Sequence, residues 1–136
     1  ALEAGSEYIL IDGPPGIGCT VTASLVDVDM AIVVTEPTLS GIHDMERVVT
    51  LSDHFGTSPA VIVNKYDINL ENTAAIESYC AERDLPVLAK LPFDDAVVTA
   101  NANQVPMVVH DDGPVSMGLR DAWAQVCHVM QPTTTP

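Results

Sequence analysis

Four short apolar runs, residues 8–11, 30–34, 60–63 and 87–91, each give way at once to a polar or Gly/Pro-rich loop. The first three are almost continuous in Ile, Val and Leu, with little alternation between apolar and polar positions. Strands covered on both faces read this way, and such strands are typical of parallel sheets. The fourth run carries Lys90 and is expected nearer an edge.

Helical patterns fill the intervals. Ile42, Met45, Val48, Val49, Ser52 and Phe55 recur at helical spacing, with Ser40 as a candidate cap and Gly56 as the stop. Ala75, Ile76, Tyr79 and Cys80 form a second stripe after Asn69 or Asn72. Shorter helices are expected over 20–26 and 96–102. A last helix starts near Gly113-Pro114, placing Val115, Leu119, Trp123, Val126 and Met130 on one face, with Trp123 as a core anchor. Strand–helix alternation predicts an α/β fold: a mostly parallel sheet of about four strands flanked by helices, joined by right-handed crossovers. A single domain is expected over 1–130, and a disordered tail over 131–136.

Ligands of open parallel sheets bind beyond the carboxyl ends of the strands. The loops found there are Asp12-Gly13-Pro14-Pro15-Gly16-Ile17-Gly18-Cys19, Thr35-Glu36-Pro37-Thr38, Asn64-Lys65-Tyr66-Asp67 and Pro92-Phe93-Asp94-Asp95. All four are expected on one rim. An acid ending an apolar strand can hold Mg²⁺, often through a water, and the glycines after it let backbone N–H groups approach a phosphate. The alternative is that Asp12 merely caps a turn. Asn64-Lys65-Tyr66-Asp67 has the N-K-x-D form that reads a purine: the Asn amide offers a donor and an acceptor, and the Lys stem covers the ring. Its alternative is a helix-capping turn. Pro92-Phe93-Asp94 either walls the base on its other side or simply ends a strand.

Charge excludes some partners. Five Lys and Arg face nineteen Asp and Glu, a formal net charge of −14. Neither nucleic acid nor an anionic membrane is an expected partner of a chain without clustered bases. The three cysteines, Cys19, Cys80 and Cys127, are widely spaced and form no CxxC, so a disulfide framework is not indicated and a reducing, cytoplasmic setting fits. His43, His54, His110 and His128 show no metal-ligand spacing. The chain opens Ala1-Leu2-Glu3 and reaches its first apolar run within a few residues, as a piece of something longer would.

The ordered series of motifs resembles the MinD/ParA class of P-loop ATPases, which includes Mrp-like proteins and belongs to the CobQ/CobB/MinD/ParA nucleotide-binding group. It is most similar to MinD-like ATPases that contain an inserted ferredoxin domain. The residues that carry this are the stretch from Tyr8 through Asp12-Gly13-Pro14-Pro15-Gly16 to Cys19, then Val34-Thr35-Glu36-Pro37-Thr38-Leu39-Ser40-Gly41, Val63-Asn64-Lys65-Tyr66-Asp67, and Pro92-Phe93-Asp94 with Val105-Pro106-Met107 after it. Together they span about residues 7 to 130. The resemblance implies the C-terminal portion of a P-loop NTPase fold, ATP and Mg²⁺ as ligands of a complete member, ATP hydrolysis, and a homodimer. It makes Asp12 the Walker-B acid and Mg²⁺ ligand, Gly16 part of the γ-phosphate-sensing switch, Asn64 the adenine contact, and Lys65, Asp67, Pro92, Phe93 and Asp94 the rest of the base and ribose pocket. Cys19 matches the cluster-ligating cysteine of the nitrogenase iron protein, which implies iron–sulfur chemistry and an iron–sulfur or redox partner; the alternative is a buried structural thiol. A 4Fe–4S cluster would belong to the ferredoxin insert, which is absent here.

This sequence departs from the family in one large respect. No G-x-x-x-x-G-K-[ST] loop or its Lys-Gly-Gly variant is present. The chain alone is therefore expected to be inactive. The missing P-loop strand would lie beside the strand ending at Asp12, so an open slot is expected, filled by a second copy or closed by rearrangement. The rival reading is a non-catalytic α/β interaction or dimerisation module.

Overall fold

Three of the four apolar runs become strands. In the computed structural model, which describes residues 8–16 and 18–130, β1 (Met30–Thr35), β2 (Ser58–Asn64) and β3 (Val87–Leu91) form a parallel sheet in the order β1-β2-β3. Met30 pairs with Ser58 and Thr35 with Val63 across the first ladder. The second ladder runs from Val61–Val87 to Asn64–Leu91, with one irregularity after Val61. The four residues Ala60, Val61, Ile62 and Val63 are all buried, so the continuous apolar run marks the central strand.

The helices are α1 (Cys19–Leu25), α2 (Leu39–Phe55), α3 (Leu70–Glu82), α4 (Asp95–Ala102), α5 (Met107–His110) and α6 (Pro114–Met130). On one face of the sheet, Met45 and Val49 of α2 and Ile76 and Cys80 of α3 pack on Val33, Val61 and Val63. On the other face, Ala122 and Val126 of α6 pack on Ala60, Ile62, Leu88 and Leu91. The result is an α/β sandwich in which β2 is covered on both sides.

Helix ends follow capping chemistry. The hydroxyl of Thr38, not Ser40, accepts the Gly41 N–H at 3.0 Å and starts α2. Gly56 stops it in the left-handed region at φ 69°, where a residue without Cβ is unstrained. Asn69 caps α3 through the Asn72 N–H.

The expectation of about four strands is corrected to three among the described residues. Residues 8–11 form no strand, and Ile9, Leu10 and Ile11 are 66%, 75% and 63% exposed. A strand exists only by exchanging hydrogen bonds with a neighbour, and this run has no neighbour within the sheet. Trp123 is likewise not a core anchor. It is 40% exposed and meets Tyr8 edge-to-face, ring centroids 5.3 Å apart. The expected tail at 131–136, like Ile17 of the first loop, lies outside the described residues.

Candidate functional site

Parallel strands in matched register bring their carboxyl ends to one rim. Thr35 is level with Val63, and Asn64 with Leu91, so the loops after β1, β2 and β3 start side by side. Cross-links then hold them. Lys65 Nζ lies 2.8 Å from Glu36 Oε1, joining the second loop to the first. Asp67 Oδ1 accepts the Phe93 N–H at 2.7 Å, joining the second to the third. Asn72 of α3 donates its side-chain amide to the Pro37 carbonyl at 3.0 Å. Six of the expected residues, Asn64, Lys65, Asp67, Pro92, Phe93 and Asp94, therefore belong to one connected rim.

The chemistry left free at this rim is specific. Asn64 is half-buried and its amide makes no hydrogen bond among the described residues, leaving a donor and an acceptor for a ligand edge. Phe93 is 53% exposed. Lys65 sits in the left-handed region at φ 52°, which costs a non-glycine residue on the order of 1 kcal/mol. An exposed ion pair contributes at most about 1 kcal/mol, so the Glu36 contact does little more than offset that strain. Asp94 spends one oxygen on the Ala96 N–H at 2.8 Å and so caps α4.

Asp12 and Gly16 make none of these cross-links, and share a cleft with Glu36 and Thr38 of the loop after β1. Both line a cleft of about 1000 Å³ between residues 8–16, the free edge of β1, and Trp123, Val126 and Met130 of α6. Gly13 faces Ser24 of α1. Gly16 has φ 94°, a conformation that glycine alone adopts without strain. Five carboxylates line this cleft, those of Asp12, Asp27, Asp29, Glu36 and Asp44, with no Lys, Arg or His among its described lining residues. The fit to a Mg-nucleotide is thus divided. The rim leaves an amide free, and Asp12 offers a hard oxygen ligand, but the charged side chains a triphosphate would meet in the cleft are all carboxylates. No reaction step follows from such a surface.

Among the described residues no three His, Cys, Asp or Glu side chains converge to hold a metal ion. Cys19 is an exposed free thiol, Cys80 is buried and Cys127 half-buried. No helix among the described residues is long and apolar enough to cross a membrane.

One residue of the rim escapes the sequence motifs, Asn72, which holds Pro37, and Glu36 of the expected loop gains a role there, holding Lys65. The position of Glu36 beside the expected site was the available signal; nothing in the sequence marked Asn72 beyond its capping potential.

No family model matches the chain. An uncharacterized ATP-binding protein of Methanocaldococcus jannaschii is 27% identical over 122 residues, covering 88% of this chain and 46% of the relative. The septum site-determining protein MinD of Helicobacter pylori is 28% identical over 128 residues, covering 82% of this chain and 46% of that protein. The chain is a relative of the MinD/ParA-type ATPases. Its fold agrees with theirs: MinD of Pyrococcus horikoshii, solved with Mg-ADP, superposes with a TM-score of 0.79 at 22% identity, over 95% of this chain and 54% of that one. The chain spans a little under half the length of these two curated relatives.

Proposed function

We propose that this chain is the base-recognising portion of a MinD/ParA-type ATPase. Asn64 contacts adenine, the stem of Lys65 and the ring of Phe93 cover the base, and Asp67, Pro92 and Asp94 complete the base and ribose pocket. Asp12 is the Mg²⁺ ligand and Gly16 part of the phosphate-sensing loop once phosphate-binding groups are supplied from outside these residues. The single observation that carries the reading is the connected rim, in which Glu36–Lys65 and Asp67–Phe93 fix three strand-end loops around an unspent Asn64 amide.

Without backbone N–H groups, lysine and hydroxyl to hold the phosphates, the chain by itself neither binds ATP tightly nor hydrolyses it. In the longer protein the same site would drive nucleotide-dependent pairing of two copies. The iron–sulfur part of the proposal rests on the exposed Cys19 at the start of α1.

Titration of the chain with adenosine, followed by amide chemical shifts, tests the reading. Saturable shifts are expected at Asn64, Lys65 and Phe93, at millimolar rather than micromolar concentration, and Asn64→Ala should remove them. Shifts confined to another surface would exclude the rim and favour a non-catalytic interaction module. Micromolar affinity for Mg-ATP in a calorimeter would overturn the claim that the chain alone is inactive.

A further inference from the structure

The carboxylate of the N-K-x-D turn is already engaged. Asp67 Oδ1 accepts the Phe93 N–H at 2.7 Å, a short bond of the charge-assisted kind. Pro92 has no N–H, so Phe93 carries the first backbone donor after β3 ends at Leu91. The loop after β3 is thus tied down at its first available group, and one residue later Asp94 caps α4 through the Ala96 N–H at 2.8 Å. Asp67 is itself held from behind. It sits in one tight turn, Tyr66–Ile68, closed by the Ile68 N–H on the Lys65 carbonyl at 3.1 Å. Thr73 Oγ1 donates to the Tyr66 carbonyl at 2.7 Å, and Lys90 Nζ lies 5.6 Å from the centre of the Tyr66 ring. A ligand that needs both oxygens of Asp67 must compete with the Phe93 N–H for one of them.

The two purines make different demands. Adenine offers an amino donor at N6 beside an acceptor at N7, which one carboxamide satisfies with its oxygen and its NH₂ together. Asn64 has that amide unspent among the described residues. Guanine offers acceptors at O6 and N7, so the same amide serves it with NH₂ alone while the amide oxygen faces O6. What guanine presents in exchange is a pair of donors, N1–H and the N2 amino group, matched by a carboxylate with two free oxygens. The carboxylate in the turn beside Asn64 is that of Asp67, and it is committed to the loop after β3.

We infer that Asp67 is a positioning residue that makes the rim select a 6-aminopurine over guanine: bound to the Phe93 N–H, it fixes the loop after β3 and withholds from the base the two-oxygen contact that guanine needs. It completes the pocket by bracing Phe93, not by touching the base. The inference rests on the adenine reading of the rim and adds the residue that sets its choice of purine.

The test titrates adenosine and guanosine separately into the 136-residue chain, into Asp67→Asn and into Asp67→Ala, with amide chemical shifts as the readout and far-ultraviolet dichroism checking each fold. In the native chain guanosine should bind at Asn64 at least about tenfold more weakly than adenosine. Asp67→Asn keeps an oxygen for the Phe93 N–H, so the preference and the exchange rate of that amide should stay near native. Asp67→Ala offers no acceptor there: exchange at Phe93 should quicken and adenosine binding should weaken several-fold. An ester in place of the Pro92–Phe93 amide removes the N–H, keeps the ring and frees the carboxylate, and the preference for adenosine should shrink as guanosine binding improves. Xanthosine has a carbonyl where guanosine has its N2 amino group, so xanthosine binding gained by Asp67→Asn would show that position 67 reads the base directly. That result, an unchanged Phe93 exchange rate in Asp67→Ala, or an ester that leaves the preference intact would each overturn the inference. Equal binding of the two nucleosides at Asn64 would remove the selector and leave the adenine pocket standing; no shift at Asn64 from either would end both readings.

Discussion

The hydroxyl of Tyr79 is buried and meets no hydrogen-bond partner among the described residues, while the Arg83 guanidinium lies over its ring at 5.1 Å. One position along α3, Cys80 is sealed in the core. Burial holds both groups neutral. It raises the Tyr79 pKa above its ordinary 10.0, against the opposing pull of Arg83, and the Cys80 pKa above its ordinary 9.0. The folded state keeps these protons longer than the unfolded chain does. Their stabilising contribution is therefore complete below pH 9.0, and it declines from there for Cys80 and from 10.0 for Tyr79 until the folded-state values are passed. Tyr79→Phe should do two things. It relieves the unpaired hydroxyl, raising stability by about 1 kcal/mol at neutral pH, and it flattens the loss of stability above pH 10.0. Urea midpoints across that range are the measurement; an alkaline slope unchanged in the Phe variant would show that Tyr79 does not titrate through folding.

Among the elements, α1 has the least to hold it. It has seven residues, and its N-cap Gly18 offers no side chain to the first turn. A helix this short is unstable alone in water, so tertiary contacts must retain it: the burial of Val21 and Leu25, and the bond from Thr57 Oγ1 to the Leu25 carbonyl at 2.8 Å. Thr57→Val keeps the shape but leaves that carbonyl unpaired, at a cost of about 1–2 kcal/mol. Amide exchange should quicken along α1 while the three strands stay protected, and Thr57→Ser should restore the wild-type rates. Equal acceleration in all elements would mean that α1 does not open separately. The elements legible in the sequence were those whose signal is local. The stripe of α2 and the Gly56 stop, the Asn69 cap, and the apolar runs of β1, β2 and β3 are contained in a few neighbouring residues. Residues 8–11 carry the same signal as those strands, yet pairing is a property of two segments, and the described sheet is made of β1, β2 and β3 without them. The four-residue α5 has no period to detect, and it was missed. At the site, the N-K-x-D and Pro-Phe-Asp letters marked the right loops. Their cross-links could not be read, because Lys65 finds Glu36 and Phe93 finds Asp67 only after the sheet sets their register.

At the scale of the whole molecule, charge works against compactness. A net charge of −14 repels itself in the folded state more than in the expanded one. The repulsion is not evenly spread, because five carboxylates line one cleft and, among the described residues, only Glu36 of them has an ion-pair partner, Lys65. Screening acts within about 8 Å at physiological ionic strength, so salt should relieve the crowded cleft before it affects isolated surface acids. The melting temperature should therefore climb as ionic strength rises from low to physiological values, by roughly 2–8 °C if screening recovers about 1 kcal/mol. Position decides between a local and a global cause. Neutralising Asp27 and Asp29 together, as Asn, should raise the low-salt melting temperature and shrink the salt response. Neutralising Glu82 and Asp121, which lie exposed on α3 and the following face of α6 and outside the cleft, changes net charge by the same amount and should do less. Equal effects from both pairs would assign the repulsion to total charge, and the cleft would then be no more strained by its acids than the rest of the surface.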